Sequence, residues 1–73
     1  MTQGKYKESV FTLKRALEVN PRYALAYFTW GEVLLRQNKY KEAIKKFNRV
    51  VELDPDGELG SDARHIIDEL KGK

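Results

Sequence analysis

The sequence predicts an all-α chain, a short tandem repeat of antiparallel helix pairs, and two observations carry that prediction. The first is internal. Gln3-Gly4-Lys5-Tyr6-Lys7-Glu8 matches Gln37-Asn38-Lys39-Tyr40-Lys41-Glu42, and the match continues through Arg15 and Arg49, then Glu18 and Glu52, to Pro21 and Pro55, always at an offset of 34 residues. Periods of this size mark arrays of helix pairs. The second is the spacing of apolar residues, which follows the helical period in each segment between the prolines.

The elements follow in chain order. From Tyr6 the apolar positions are Val10, Leu13 and Leu17, one stripe of a helix over residues 5–19. Asn20-Pro21 stops it, because proline lacks the amide hydrogen and drives the residue before it out of the helical region. Tyr27, Trp30, Gly31 and Leu34 mark a second helix over 23–37. The third helix, over 39–53, repeats the first with Tyr40, Ala43, Ile44, Phe47, Val50 and Val51, and Asp54-Pro55 ends it. Past Asp56-Gly57 the repeat fades. There Ser61 as N-cap, an apolar face of Ala63, Ile66, Ile67 and Leu70, and a closing Gly72 predict a last helix over 61–71. Its heavily charged outer face suits a cap on an open-ended stack.

The chain has 73 residues, which makes 1–73 one domain with a small core. It has no cysteine, so no disulfide framework or thiolate metal site compensates for that core. The stretch from Met1 to Glu8 is polar and lysine-bearing, and no apolar run is long enough to span a bilayer. A soluble, cytoplasmic chain without membrane contact is the expectation. Fourteen basic and eleven acidic side chains leave a net charge of +3, a mild excess rather than the dense basic stripe of a nucleic-acid binder. The excess gathers in Arg36, Lys39, Lys41, Lys45, Lys46 and Arg49, with Glu42 as the local counter-charge.

Residues 24–57 resemble one complete tetratricopeptide repeat, and residues 3–23 resemble the second half of another. The matching residues are Gly31 and Ala43, small where the two helices of a repeat approach closely, with Phe47 and Pro55 at the family's aromatic and proline positions. Tyr27 stands where the family often has tryptophan, Trp30 where it usually has leucine, and Leu34 where it usually has tyrosine. The resemblance implies a short right-handed helical solenoid of four helices that binds proteins or peptides and is not an enzyme. In this family the first helix of each pair lines a groove for extended peptides or a partner helix. The positions that map there are Leu25, Phe28, Thr29, Glu32, Leu35 and Arg36, with Phe28 as the expected anchor. One subset of the family grips a C-terminal carboxylate with lysine, asparagine and arginine at these positions. Here leucine, phenylalanine, threonine and glutamate stand there, and Glu32 would repel an acidic tail, so an apolar or mixed ligand is expected.

The first helix lacks the partner that the resemblance would give it, and about three repeats are normally needed for a stable array. Its apolar face, Tyr6, Val10, Leu13 and Leu17, is therefore expected to lack cover from its own chain. Phe11 widens the patch at a position where the family generally has a polar residue. Self-association through these five residues follows, as a dimer formed by pairing or domain swapping. Two alternatives stand beside this reading. One is electrostatic attachment of the Arg36 to Arg49 cluster to an acidic surface or nucleic acid, and the other is an excised or engineered repeat fragment with no ligand of its own.

Other constellations fall short of chemistry. Trp30 and Tyr40 beside Lys39 and Lys41 lie on helical apolar stripes, which points to packing rather than base stacking. The run from Glu52 to Ala63 has carboxylates and a glycine where a calcium loop has them. Its final position, however, is Ala63 instead of a bidentate glutamate, and Pro55 stiffens it. His65 is the sole histidine and sits at the edge of the Ile66 and Ile67 stripe. No nucleophile with a base and an orienting group, no phosphate-cradling glycine loop and no metal-ligand set emerges, so neither catalysis nor a cofactor is expected.

Overall fold

The computed structural model describes residues 2–72, with side chains from Lys5 onward; Met1 and Lys73, at the ends of the expected domain, lie outside the described residues. Four helices follow one another: α1 (Thr2–Val19), α2 (Ala24–Arg36), α3 (Tyr40–Leu53) and α4 (Glu58–Lys71). Each packs against the next in the chain, α2 also meets α4, and α1 rests on α2 alone. The result is a slab of 32 × 31 × 16 Å.

The first inter-helix turn is built by Asn20, whose Oδ1 accepts the Arg22 amide at 3.2 Å while Pro21 blocks further helix. The α2–α3 turn is built by Asn38 in the left-handed region at φ 63°, a conformation asparagine tolerates better than most residues. There the Lys39 amide returns to the Leu34 carbonyl at 2.9 Å. Its twin in the internal repeat, Gly4, is helical instead, which moves the start of α1 from residue 5 to residue 2.

The last helix also begins earlier than expected, at Glu58 rather than 61, and Ser61 is not its cap. Gly57 takes the N-cap position in extended conformation, and the Ser61 amide donates to the Gly57 carbonyl at 3.0 Å inside the first turn. Glu58 in that turn complements the positive helix end. Gly60 makes the early start feasible: a Cβ there would overlap the Asp54 carbonyl oxygen, so the loop backbone lies directly on α4. With this start α4 aligns with α2 at the same 34-residue offset that relates α3 to α1.

The core joins α2, α3 and α4 through Leu34, Ala43, Phe47, Val50, Ala63 and Ile67. Phe47 and Val50 are its largest fully buried side chains. Gly31 admits the Phe47 ring, since a Cβ on it would stand 2.7 Å from Phe47 Cζ. Phe28 meets the same ring edge to face, with centroids 5.3 Å apart and planes at 78°. Ala26 and Val33 are buried outside this cluster. Tyr40, expected on an apolar stripe, is 45% exposed. As the first residue of α3 it lies at the helix end, where its hydroxyl donates to Asn38 Oδ1 at 3.0 Å.

Candidate interaction surfaces

The internal repeat supplies a standard for judging α1. Ala43, Phe47 and Val50 of α3 are buried because α2 lies on one side of that helix and α4 on the other. Their counterparts on α1 are Ser9, Leu13 and Ala16, and all three are only half-buried. The difference is one covering helix. α2 packs on α1 much as α4 packs on α3, but the flank of α1 that matches the seat of α2 on α3 is open. A hollow of about 550 Å³ marks that flank, bordered by Lys5, Glu8, Ser9, Thr12, Leu13 and Thr29. A second hollow of about 300 Å³ continues it along Glu32, Val33 and Arg36.

The expectation that the apolar face of α1 lacks intramolecular cover is therefore corrected in part. Tyr6, Val10, Leu13 and Leu17 are half-buried, with α2 as their cover, while Phe11 is 63% exposed. The physical reason is that the second helix of one repeat packs on the first helix of the next, and α2 plays that next helix.

The six groove positions also divide. Leu25, Glu32 and Arg36 are exposed, and Thr29 borders the open flank of α1. Phe28 and Leu35 are half-buried against the core, so they do not share the solvent-facing side with the others. Phe28, the expected anchor, has one ring edge committed to Phe47.

On the opposite side of α2 from Leu25, Glu32 and Arg36, a cleft of about 660 Å³ opens between α1 and α3. Trp30 and Leu34 of α2 border it, with Val10 and Phe11 on the α1 side. Lys7 and Lys14 enter from α1 and Lys39, Lys45 and Lys46 from the α3 side, against Glu42 as the carboxylate there. Lys46 Nζ stands 4.0 Å and Lys14 Nζ 5.8 Å from the centroid of the Trp30 ring, so the ring holds ammonium groups by cation–π attraction. Trp30 thus packs on the core and also borders this cleft. Departures from the internal repeat are the sequence signal that would have found it: Phe11 stands where the second copy has Lys45, and Lys14 where it has Asn48.

The expected basic cluster is not one patch. Lys39, Lys45 and Lys46 turn to the cleft, whereas Arg49 pairs with Glu52 at 2.7 Å and lies 5.9 Å from the Tyr27 ring. Glu52, rather than Glu42, is thus its counter-charge. Donating its hydrogen bond to the Glu52 carboxylate raises the Arg49 pKa above its already high usual value. Any stability from this exposed group is present below the usual arginine pKa and lost only in strongly alkaline solution. Among the described residues no helix is long and apolar enough to cross a membrane, and no group of three His, Cys, Asp or Glu side chains is placed to hold a metal ion.

No curated protein matches the chain closely. A family model, described as tetratricopeptide repeat, matches residues 1–58. Repeats of this kind are generally non-catalytic and mediate protein–protein interaction. The repeat at an offset of 34 residues, the small Gly31 under Phe47 and the four-helix stack agree with that match, and the chain belongs to the tetratricopeptide repeat family.

Proposed function

We propose that this chain is a protein-interaction scaffold that receives a helix of a second polypeptide on the open flank of α1, a second copy of itself included. One observation carries the reading: Ser9, Leu13 and Ala16 are half-open on α1, whereas the matching Ala43, Phe47 and Val50 are closed on α3 by α2. The incoming helix takes the place relative to α1 that α2 takes relative to α3. Just as α2 also touches α4, the incoming helix also touches α2 along Thr29 and Glu32. In this reading Leu13 of the predicted self-association face and Thr29, Glu32 and Arg36 of the predicted groove share one surface, while Val10 and Phe11 turn to the cleft between α1 and α3. Leu13 in place of Phe47 leaves more room, so the docked helix does not need glycine at its point of closest approach, as α2 does at Gly31. Burying a further part of Leu13 and Ala16 supports association at about 25 cal/mol per Å² of apolar surface removed from water.

Amide chemical shifts of the labelled chain, followed as its concentration is raised, test this. The reading predicts saturable changes centred on Ser9, Thr12, Leu13, Ala16 and Thr29. Changes centred on α4, or the absence of any, would contradict it.

A further inference from the structure

We infer that the cleft between α1 and α3 is a second docking site, for an acidic peptide segment carrying one bulky apolar side chain. It lies on the other side of α2 from Glu32 and Arg36 and does not depend on the open flank of α1. Three observations support it together. The cleft holds five lysines against one carboxylate, and among the described residues the only ion pair is Arg49–Glu52, so these ammonium groups have no carboxylate partner among the described residues. Its lining is apolar between the charges, from Trp30 and Leu34 to Phe11, and at about 660 Å³ it has room for a large side chain. Phe11 is 63% exposed at its wall, an apolar area that an occupant would remove from water.

Charge complementarity sets the occupant's sign, and the apolar lining sets its anchor. Lys14 and Lys46 are already held near the Trp30 ring, so carboxylates arriving with the anchor meet donors whose freedom is partly spent. A peptide fits better than a nucleic acid. The lysines ring a hollow rather than forming a row along a phosphate backbone, and Lys46 at 4.0 Å occupies a face of Trp30 that a stacked base would need.

Trp30 is the single tryptophan, so its emission reports on this cleft directly. The probe is a short peptide of glutamate and aspartate with one central leucine, titrated into the whole chain. The inference predicts a saturable change in Trp30 emission, with affinity falling about tenfold when the leucine is replaced by serine, and by about as much again in Lys45→Glu. Lys45 is exposed, and helical content by circular dichroism checks that the variant folds. Three results would each overturn the inference: no saturable change, equal binding of the serine peptide, or tighter binding of a single-stranded oligonucleotide of equal charge.

Discussion

At Gly31 and Phe47 the family's close helix approach becomes a measurable contact. Alanine is the better helix former by about 1 kcal/mol, which would argue for a gain from Gly31→Ala. Its methyl group would, however, stand 2.7 to 2.9 Å from three ring atoms of Phe47, which is fully buried and has no space to swing into. Overpacking of that kind costs about 1 to 3 kcal/mol and outweighs the helical gain. Urea unfolding should show a net loss for Gly31→Ala, part of which Phe47→Leu restores in the double variant, because leucine is what the first repeat carries at Leu13. Two independent, additive losses would contradict that coupling. Gly60→Ala should cost more than Gly31→Ala in the same assay, since the obstacle is the Asp54 backbone carbonyl rather than a side chain. Equal stability of Gly60→Ala and the parent chain would show that the loop does not rest on α4 as described.

Elements of the same sequence pattern acquire different stabilities from their neighbours. α1 and α3 share the Lys-Tyr-Lys-Glu stretch and the same proline stop, yet α3 is covered on two sides and α1 on one. Amide hydrogen exchange should therefore be fastest along α1 and slowest around Phe47 and Val50 of α3. Uniform exchange across the four helices would mean that α1 is as well supported as α3. The repeat and the proline stops made the existence and order of the helices legible, because each is a local property of the chain. What was not legible depended on contacts between elements. Ser61 looked like a cap because serine often is one, whereas Gly60 set the start of α4 through a close approach that no local pattern announces. Family positions put Phe28 and Leu35 in the groove, whereas both pack against the core, Phe28 edge to face on Phe47 of α3. The lysine-lined cleft was missed because Lys7 and Lys14 meet Lys45 and Lys46 only when the slab folds.

On the scale of the whole molecule the two ends of the stack differ. At the far end, α4 presents Glu58, Asp62, Arg64, His65, Asp68 and Glu69 at the positions where α2 has Ala24, Phe28, Trp30, Gly31, Leu34 and Leu35. Under the proposed function, a charged face of that kind offers no apolar cover to the α1 of another copy, which disfavours head-to-tail growth into a filament. At the near end, α1 keeps an open flank with Leu13 and Ala16. Association of this chain with itself should therefore close at a pair, each copy meeting the other through its α1 end. The solution mass by light scattering, taken from low micromolar to submillimolar concentration, tests this most directly. The mass should rise from one chain to two and no further, with Thr12→Glu, an exposed change on the open flank, holding it at one chain. A single-chain mass at every concentration would contradict it.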